Sequence, residues 1–275
     1  MSLTALLMFA AAVDPTFLHR YVSDLAEKPA DISTASCHYK PIFGIGDAQA
    51  GVPRGISRFG EITIDRAGAC KAISYSAEEQ AYVILDGSGT LDYAGRQIPV
   101  RKHDFFYLPP GVRYSMTSAT GARAIVMGFK LPAGTRASPP PSPLIANIDD
   151  VKWQPVSGHP DSVLYQLLMG DTKSTRDKIA AGRVLTSLFI MEFAPGGTNA
   201  PHHHETEEEI YLVLDGAGDM VAGGGMNGVE GRHPARAGDA YFFRLNCTVG
   251  FYSSPDSTVK ARILAVRSRY PFGKD

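Results

Sequence analysis

Residues 78–89 read EEQAYVILDGSG, and residues 207–218 read EEEIYLVLDGAG. Each is a short run of β-branched, aromatic and aliphatic residues closed by an Asp-Gly pair, the pattern of a strand running into a hairpin turn. The likeness extends further along the chain. HDFFYLPPGVRYSMTS at 103–118 and GDAYFFRLNCTVGFYSS at 238–254 share an order of features: an acidic turn, an aromatic strand, a break and another strand. The chain therefore holds two units of one kind in the same order, with Asp86-Gly87 and Asp215-Gly216 expected at equivalent hairpins. Strands and turns dominate and convincing helices are few, which makes each unit an all-β barrel or sandwich. Small β domains must protect their sheet edges, and closing into a double-sheet jelly roll does so.

Between the units lies LPAGTRASPPPSPL at 131–144. Pro139, Pro140, Pro141 and Pro143 cannot donate backbone hydrogen bonds to a sheet, so this stretch is expected to be an extended, stiff linker. The expected organisation is an N-terminal segment (1–54) packed on a barrel, an N-terminal barrel (55–130), a Pro-rich linker (131–150) and a C-terminal barrel (151–275). DTKSTRDKIAA at 171–181 is the best candidate for a helical or loop excursion. The Gly-rich stretch 216–238 reads as a flexible hairpin loop; it contains no GxxxxGK[ST] and lacks the strand-turn-helix order of a phosphate cradle.

Composition excludes several classes. The 275 residues are 44% hydrophobic and 20% charged, the mixture of an ordinary globular protein, and the net charge of -1 gives no reason to expect nucleic acid or a membrane as partner. No apolar run approaches the roughly 20 residues that span a bilayer. Cys37, Cys70 and Cys247 are few, odd in number and widely spaced. That points to isolated thiols rather than a disulfide framework or a zinc site, and so to a cytoplasmic protein. The apolar stretch TALLMFAAA at 4–12 ends in small residues but lacks a basic leader. It reads as a segment packed on the barrel, with a signal remnant and export as the alternative.

The second unit carries the chemistry. It reads FAPGGTNAPHHHETEEEIYLVLDGAG at 193–218. Residues two apart in a strand share a face, so His202 and His204 point the same way, and Glu209 joins them after the chain turns into the next strand. His203 falls on the opposite face. Two imidazoles and a carboxylate converging inside a barrel make a first-row transition-metal site.

This spacing resembles the first motif of the cupin superfamily, G-x5-H-x-H-x3–4-E-x6-G, which is met in full by Gly196, His202, His204, Glu209 and Gly216. The family's second motif, G-x5-P-x-G-x2-H-x3-N, is met poorly: from Gly238, its proline, glycine and histidine positions hold Arg244, Asn246 and Val249. The resemblance implies two tandem cupin barrels and one divalent ion, Mn, Fe, Ni or Zn, on three protein ligands with open positions. Cys247 shares strand parity with Val249 and is a further candidate to approach the ion. In the first unit, Ile73, Tyr75 and Gln80 stand at the ligand positions and Tyr114 at that of the fourth histidine. These side chains line a small pocket or, more simply, fill the barrel with their polar tips hydrogen-bonded.

In size, in the metal-free first barrel and in the Pro109-Pro110-Gly111 turn, the layout is similar to ureidoglycine aminohydrolase-like bicupins. His202 and Val249 depart from that group's ligands. The implied function is a metal-dependent enzyme acting on a small polar metabolite, with hydrolase-like and dioxygenase-like chemistry both open. No residue is singled out as a catalytic base; Tyr211 shares parity with Glu209 but suits core packing. The alternative is a non-enzymatic binding or structural bicupin with a residual metal site. Cupins often pair through sheet edges or exchanged N-terminal strands, so a homodimer is expected.

Overall fold

A computed structural model describes residues 16–135, 139–224 and 230–269. The apolar stretch 4–12 lies outside the described residues. The chain is nearly all strand, with two single-turn 3-10 helices, Val22–Asp24 and Ile148–Asp150, as the helical elements among the described residues.

Each unit curls two sheets against one another. In the second unit, one sheet runs in the order Phe17–Tyr21, Asp239–Phe243, Glu207–Asp215, Ala261–Arg269, Leu185–Phe193, Val163–Asp171, Ile179–Gly182. It faces a sheet of Gly231–Arg236, Ala217–Gly223 and Thr248–Ser253. The first unit repeats the plan, with Asp104–Leu108, Glu78–Tyr93, Ala122–Lys130, Ile56–Ile64 and Cys37–Gly44 side by side in one sheet.

The near-continuous apolar run of each central strand follows from burial on both faces. In Glu207–Asp215, Tyr211 and Val213 point into their own barrel, while Ile210 and Leu212 join a core shared with the other barrel. Tyr82 and Ile84 do the same inside the first barrel, and Ala81 and Val83 enter the shared core. The two barrels thus pack face to face through their larger sheets.

The leading strand of each barrel is donated to the other. Phe17–Tyr21, within the expected N-terminal segment, pairs with Asp239–Phe243 of the C-terminal barrel. Leu144–Asn147, at the end of the expected linker, pairs with Asp104–Leu108 of the N-terminal barrel. Strands are thus exchanged between the two halves of one chain.

Several expectations are corrected. Asp86-Gly87 is no hairpin turn: it lies inside the continuous strand Glu78–Tyr93, at a register shift against Ala122–Lys130. Asp215-Gly216 sits at the matching shift of the second unit. Both glycines have positive φ, +76° and +75°, and a Cβ would lie 2.1 Å from Gly121 O at Gly87 and 2.7 Å from Ala261 Cα at Gly216. The pairs mark bulged corners where the strand passes from one sheet to the other, a geometry that needs glycine as much as a tight turn does. The first hairpin turns instead at Ala94-Gly95, both with positive φ.

The Gly-rich stretch 216–238 is largely strand, Ala217–Gly223 against Gly231–Arg236; residues 225–229 are outside the described set. Of the excursion at 171–181, Asp171 closes one strand and Ile179 opens another; the residues between are turns and bends, with no helix. Cys37 and Cys70 form a disulfide with Cα atoms 5.0 Å apart, and only Cys247 is a free, buried thiol. Wide sequence spacing hid the pair, because the strand Cys37–Gly44 brings its first residue beside the short edge strand Gly68–Ala69.

Candidate metal centre

His202, His204 and Glu209 converge: one donor atom from each lies within 4.8 Å of the other two. They come from a loop and the strand after it. Ala200, two residues before His202, has φ +55°, a conformation alanine adopts only under constraint. Asn199 supplies that constraint. It is buried, accepts from Phe251 N at 2.8 Å and donates to Tyr211 Oη at 3.1 Å. His202 then pairs in both directions with Val249, N to O at 2.9 and 2.8 Å. Glu209 follows on the central strand, facing Arg267 across the ladder.

The donor atoms are set up for a ligand. His202 Nδ1 meets Ala200 O at 2.9 Å, which leaves Nε2 free and fixes the ring plane. Burial pushes the His202 pKa below 6.5 despite the opposing Ala200 bond, so the neutral, metal-binding form prevails near neutrality. His204 Nε2 and Glu209 Oε2 face each other at 3.2 Å. Both are sealed from water without a well-formed hydrogen bond. Buried polar atoms are rarely left so, and a cation between them would satisfy both. Burial works to raise the Glu209 pKa, but the contact with His204 and the charge of Arg267 outweigh it and hold the carboxyl in its charged form.

These donors line a cavity of about 70 Å³, room for a few non-hydrogen atoms. Arg267, Tyr165, His159, Arg176 and Tyr211 stand in its wall beside the apolar Val156, Leu167, Phe189 and Met191. Arg267 Nε lies 3.6 Å from Glu209 Oε1, and Arg267 Nη1 lies 3.4 Å from Glu207 Oε2. Tyr165 Oη is buried without a partner, and burial raises its pKa, so it stays a hydroxyl donor. His159 anchors through Nδ1 to Asn199 O at 2.9 Å and packs edge-on to His202. Val249 stands opposite His202, so their side chains share a face. It is fully buried and offers no lone pair.

His203 points outward, its side chain 57% exposed. Cys247 turns away: its thiol accepts from Gly223 N and donates to Thr248 O, each at 3.4 Å, and it does not line the cavity. Tyr211 faces the cavity as its parity implied, with its hydroxyl taken by Asn199. Arg267, Tyr165, His159 and Asn199 escaped the sequence reading. Arg267 did carry a signal: after Ile263 and Ala265 it is an arginine at an inward-facing strand position.

The first barrel solves its interior differently. Ile73 pairs with Tyr114 as His202 does with Val249, so the two units superpose residue for residue here. Tyr114 Oη meets Tyr82 Oη at 2.8 Å and donates to Gln80 Oε1. The Arg58 guanidinium sits 4.5 Å from the Tyr75 ring centroid and bonds Asp31 at 3.0 and 3.2 Å. Its Nε lies 3.4 Å from Glu78. Gly128, the counterpart of Arg267, makes room: a Cβ there would come within 2.8 Å of Arg58 Cγ. Protein side chains, including one buried cation, fill this barrel.

Residues 189–266 match the family model of the cupin domain. Among solved structures, the chain is similar to protein Ylba from E. coli at 15% identity, covering 94% of this chain and 93% of that one, TM-score 0.67. It is similar to oxalate decarboxylase from Lactobacillus farciminis at 12% identity, covering 93% and 86%, TM-score 0.68. Oxalate decarboxylase OxdC from Bacillus subtilis, described with Mn(II) centres, matches at 11% identity over 96% and 79%, TM-score 0.67. No curated protein matches the sequence. The fold is that of the two-barrel cupins, and residues 189–266 form a cupin domain.

Proposed function

We propose that the C-terminal barrel holds one divalent first-row metal ion on His202, His204 and Glu209, and that the protein is an enzyme acting on a small polar metabolite at that ion. The observation that carries this reading is the convergence of three donors within 4.8 Å, two of them ending in buried atoms without a hydrogen bond. Mn, Fe, Ni and Zn all suit two imidazoles and a carboxylate. The Mn(II) centres of OxdC, which shares this fold, support manganese as the first to test. A bound ion would supply Lewis acidity, or a site for activating water or oxygen. Around it, Tyr165 Oη and Arg267 present hydrogen-bond donors to whatever enters the cavity. Arg176, from the loop between Val163–Asp171 and Ile179–Gly182, stands in the cavity wall.

A second reading is a binding or structural bicupin. Val249 in place of a fourth ligand and Arg267 3.6 Å from Glu209 favour it, because that arginine partly neutralises the carboxylate by itself. Metal analysis after reconstitution tests the site that the enzyme reading requires, and turnover of a metabolite by the loaded protein separates it from a bicupin with a residual metal. The enzyme reading expects about one ion per chain, lost in the double variant His202→Ala, His204→Ala while the barrels stay folded. A wild-type protein that takes up no ion rules it out. The Cys37–Cys70 disulfide supports an oxidising compartment, and so the exported alternative over the cytoplasmic one. Among the described residues, no helix is long and apolar enough to cross a membrane.

A further inference from the structure

The shared core between the barrels opens on one side into a cleft of about 340 Å³. That is within the usual range of small-molecule sites, about 300–1,000 Å³, which favour domain interfaces. It lies where the two units meet as equivalents. Leu85 and Leu214, one from each central strand, line it together. So do Arg123 and Arg262, each the cross-strand neighbour of the corner aspartate of its own barrel, Asp86 and Asp215. Two matching guanidiniums therefore enter one cleft from opposite barrels.

Each arginine is pinned by a carboxylate of its own barrel, and each carboxylate is shared with a lysine. Arg123 bonds Glu61 at 3.2 Å, and Lys40 reaches the same carboxylate at 3.9 Å. Arg262 bonds Glu192 at 2.9 and 2.7 Å, and Lys260 reaches it at 2.6 Å. The side chains that line the cleft carry three cations, Lys102, Arg123 and Arg262, against two carboxylates, Asp149 and Asp215, with Lys102 also 3.8 Å from Asp86. At the rim, Asp149 meets His103 at 2.9 Å, and Asp215 is open to solvent, as Arg123 and Arg262 are in part, so all three are screened alike. The wall is completed by Trp153, half-buried, with the Arg262 guanidinium 5.8 Å from its ring centroid. Planar groups stack well on such a pair.

We propose that this cleft binds a small aromatic dianion, its ring against Trp153 and its two charged groups on Arg123 and Arg262. The site is separate from the cavity of the metal centre and does not depend on an ion there.

Trp153 is the single tryptophan of the chain, so its fluorescence reports on this cleft alone. The probe is phthalate, titrated into the full-length protein, with dimethyl phthalate as the uncharged counterpart. The expected result is saturable quenching by phthalate, weakened by added salt, and none by the diester. Arg123→Gln and Arg262→Gln should each weaken phthalate by at least about fivefold, with far-ultraviolet dichroism unchanged. Arg123 is half-exposed, so its variant keeps the test intact should Arg262→Gln misfold. Trp153→Phe, followed by calorimetry, should weaken binding without abolishing it. Linear quenching without saturation, equal response to the diester, or unchanged affinity in Arg123→Gln would each overturn the proposal.

Discussion

Glu79 and Glu208 occupy equivalent positions in the two central strands, and each reaches out of its own barrel to hold the start of a strand in the other. Glu208 accepts from Arg54 N and Gly55 N, both at 2.7 Å, at the entry to Ile56–Ile64. Glu79 accepts from Val184 N at 2.7 Å and Leu185 N at 2.8 Å, at the entry to Leu185–Phe193, and from Tyr107 Oη at 2.7 Å. The exchange is reciprocal and buried. Removing either carboxylate strands several buried N–H groups, so Glu79→Ala and Glu208→Ala should each cost about 2–4 kcal/mol. Urea unfolding checks this, and the wild type should unfold in one transition because neither barrel closes its edge alone.

Replacing Val249 by histidine tests the missing fourth donor. The side chains at 249 and 202 share a face, so the new imidazole would join the existing three donors. Manganese affinity, measured by competition with a chelator, should rise by about tenfold or more. Overpacking of this buried position should lower stability by about 1–3 kcal/mol. An unchanged affinity would mean that position 249 does not face the ion.

The disulfide closes a loop with a sequence separation of 33 residues between Cys37 and Cys70. The chain-entropy relation gives about 3–4 kcal/mol for a loop of this size. Reduction, or Cys37→Ser with Cys70→Ser, should lower the urea midpoint accordingly. Free Cys247 should stay unreactive toward thiol reagents in the native protein, since burial raises its pKa to about 11.

Acid stability should depend on Glu192. Burial works to raise its pKa, yet Lys260 and Arg262 outweigh burial and hold it below 4.5. A carboxyl with a lower pKa in the folded state stabilises the fold above its unfolded pKa and loses that contribution as pH falls through the folded value. Glu192→Gln should therefore cost about 1 kcal/mol at pH 7, discounted for its half-exposed partners. The difference from wild type should vanish in strong acid. Paired urea titrations at the two pH values measure it.

Much of this was legible in the linear chain because it rests on local periodicity. The repeat of EEQAYVILDGSG as EEEIYLVLDGAG, read with the alternation of strand side chains, is enough to call for two like β-barrels. The same alternation brings His202 and His204 to one face, and the H-x-H-x4-E spacing gathers Glu209 beside them. Where glycine serves several geometries, local pattern misleads: Asp86-Gly87 is a bulged corner, and the real hairpin lies at Ala94-Gly95.

What only the tertiary structure decided are relations between residues far apart in the chain. The pairing of Phe17–Tyr21 with Asp239–Phe243 is one, and the Cys37–Cys70 bond is another. Arg267 beside Glu209, and Arg123 opposite Arg262 across the cleft, belong with them. Sequence periodicity reports which face a side chain takes within its own strand. It carries no information on which other strand, or which other barrel, that face will meet; packing the two sheets against each other settles that.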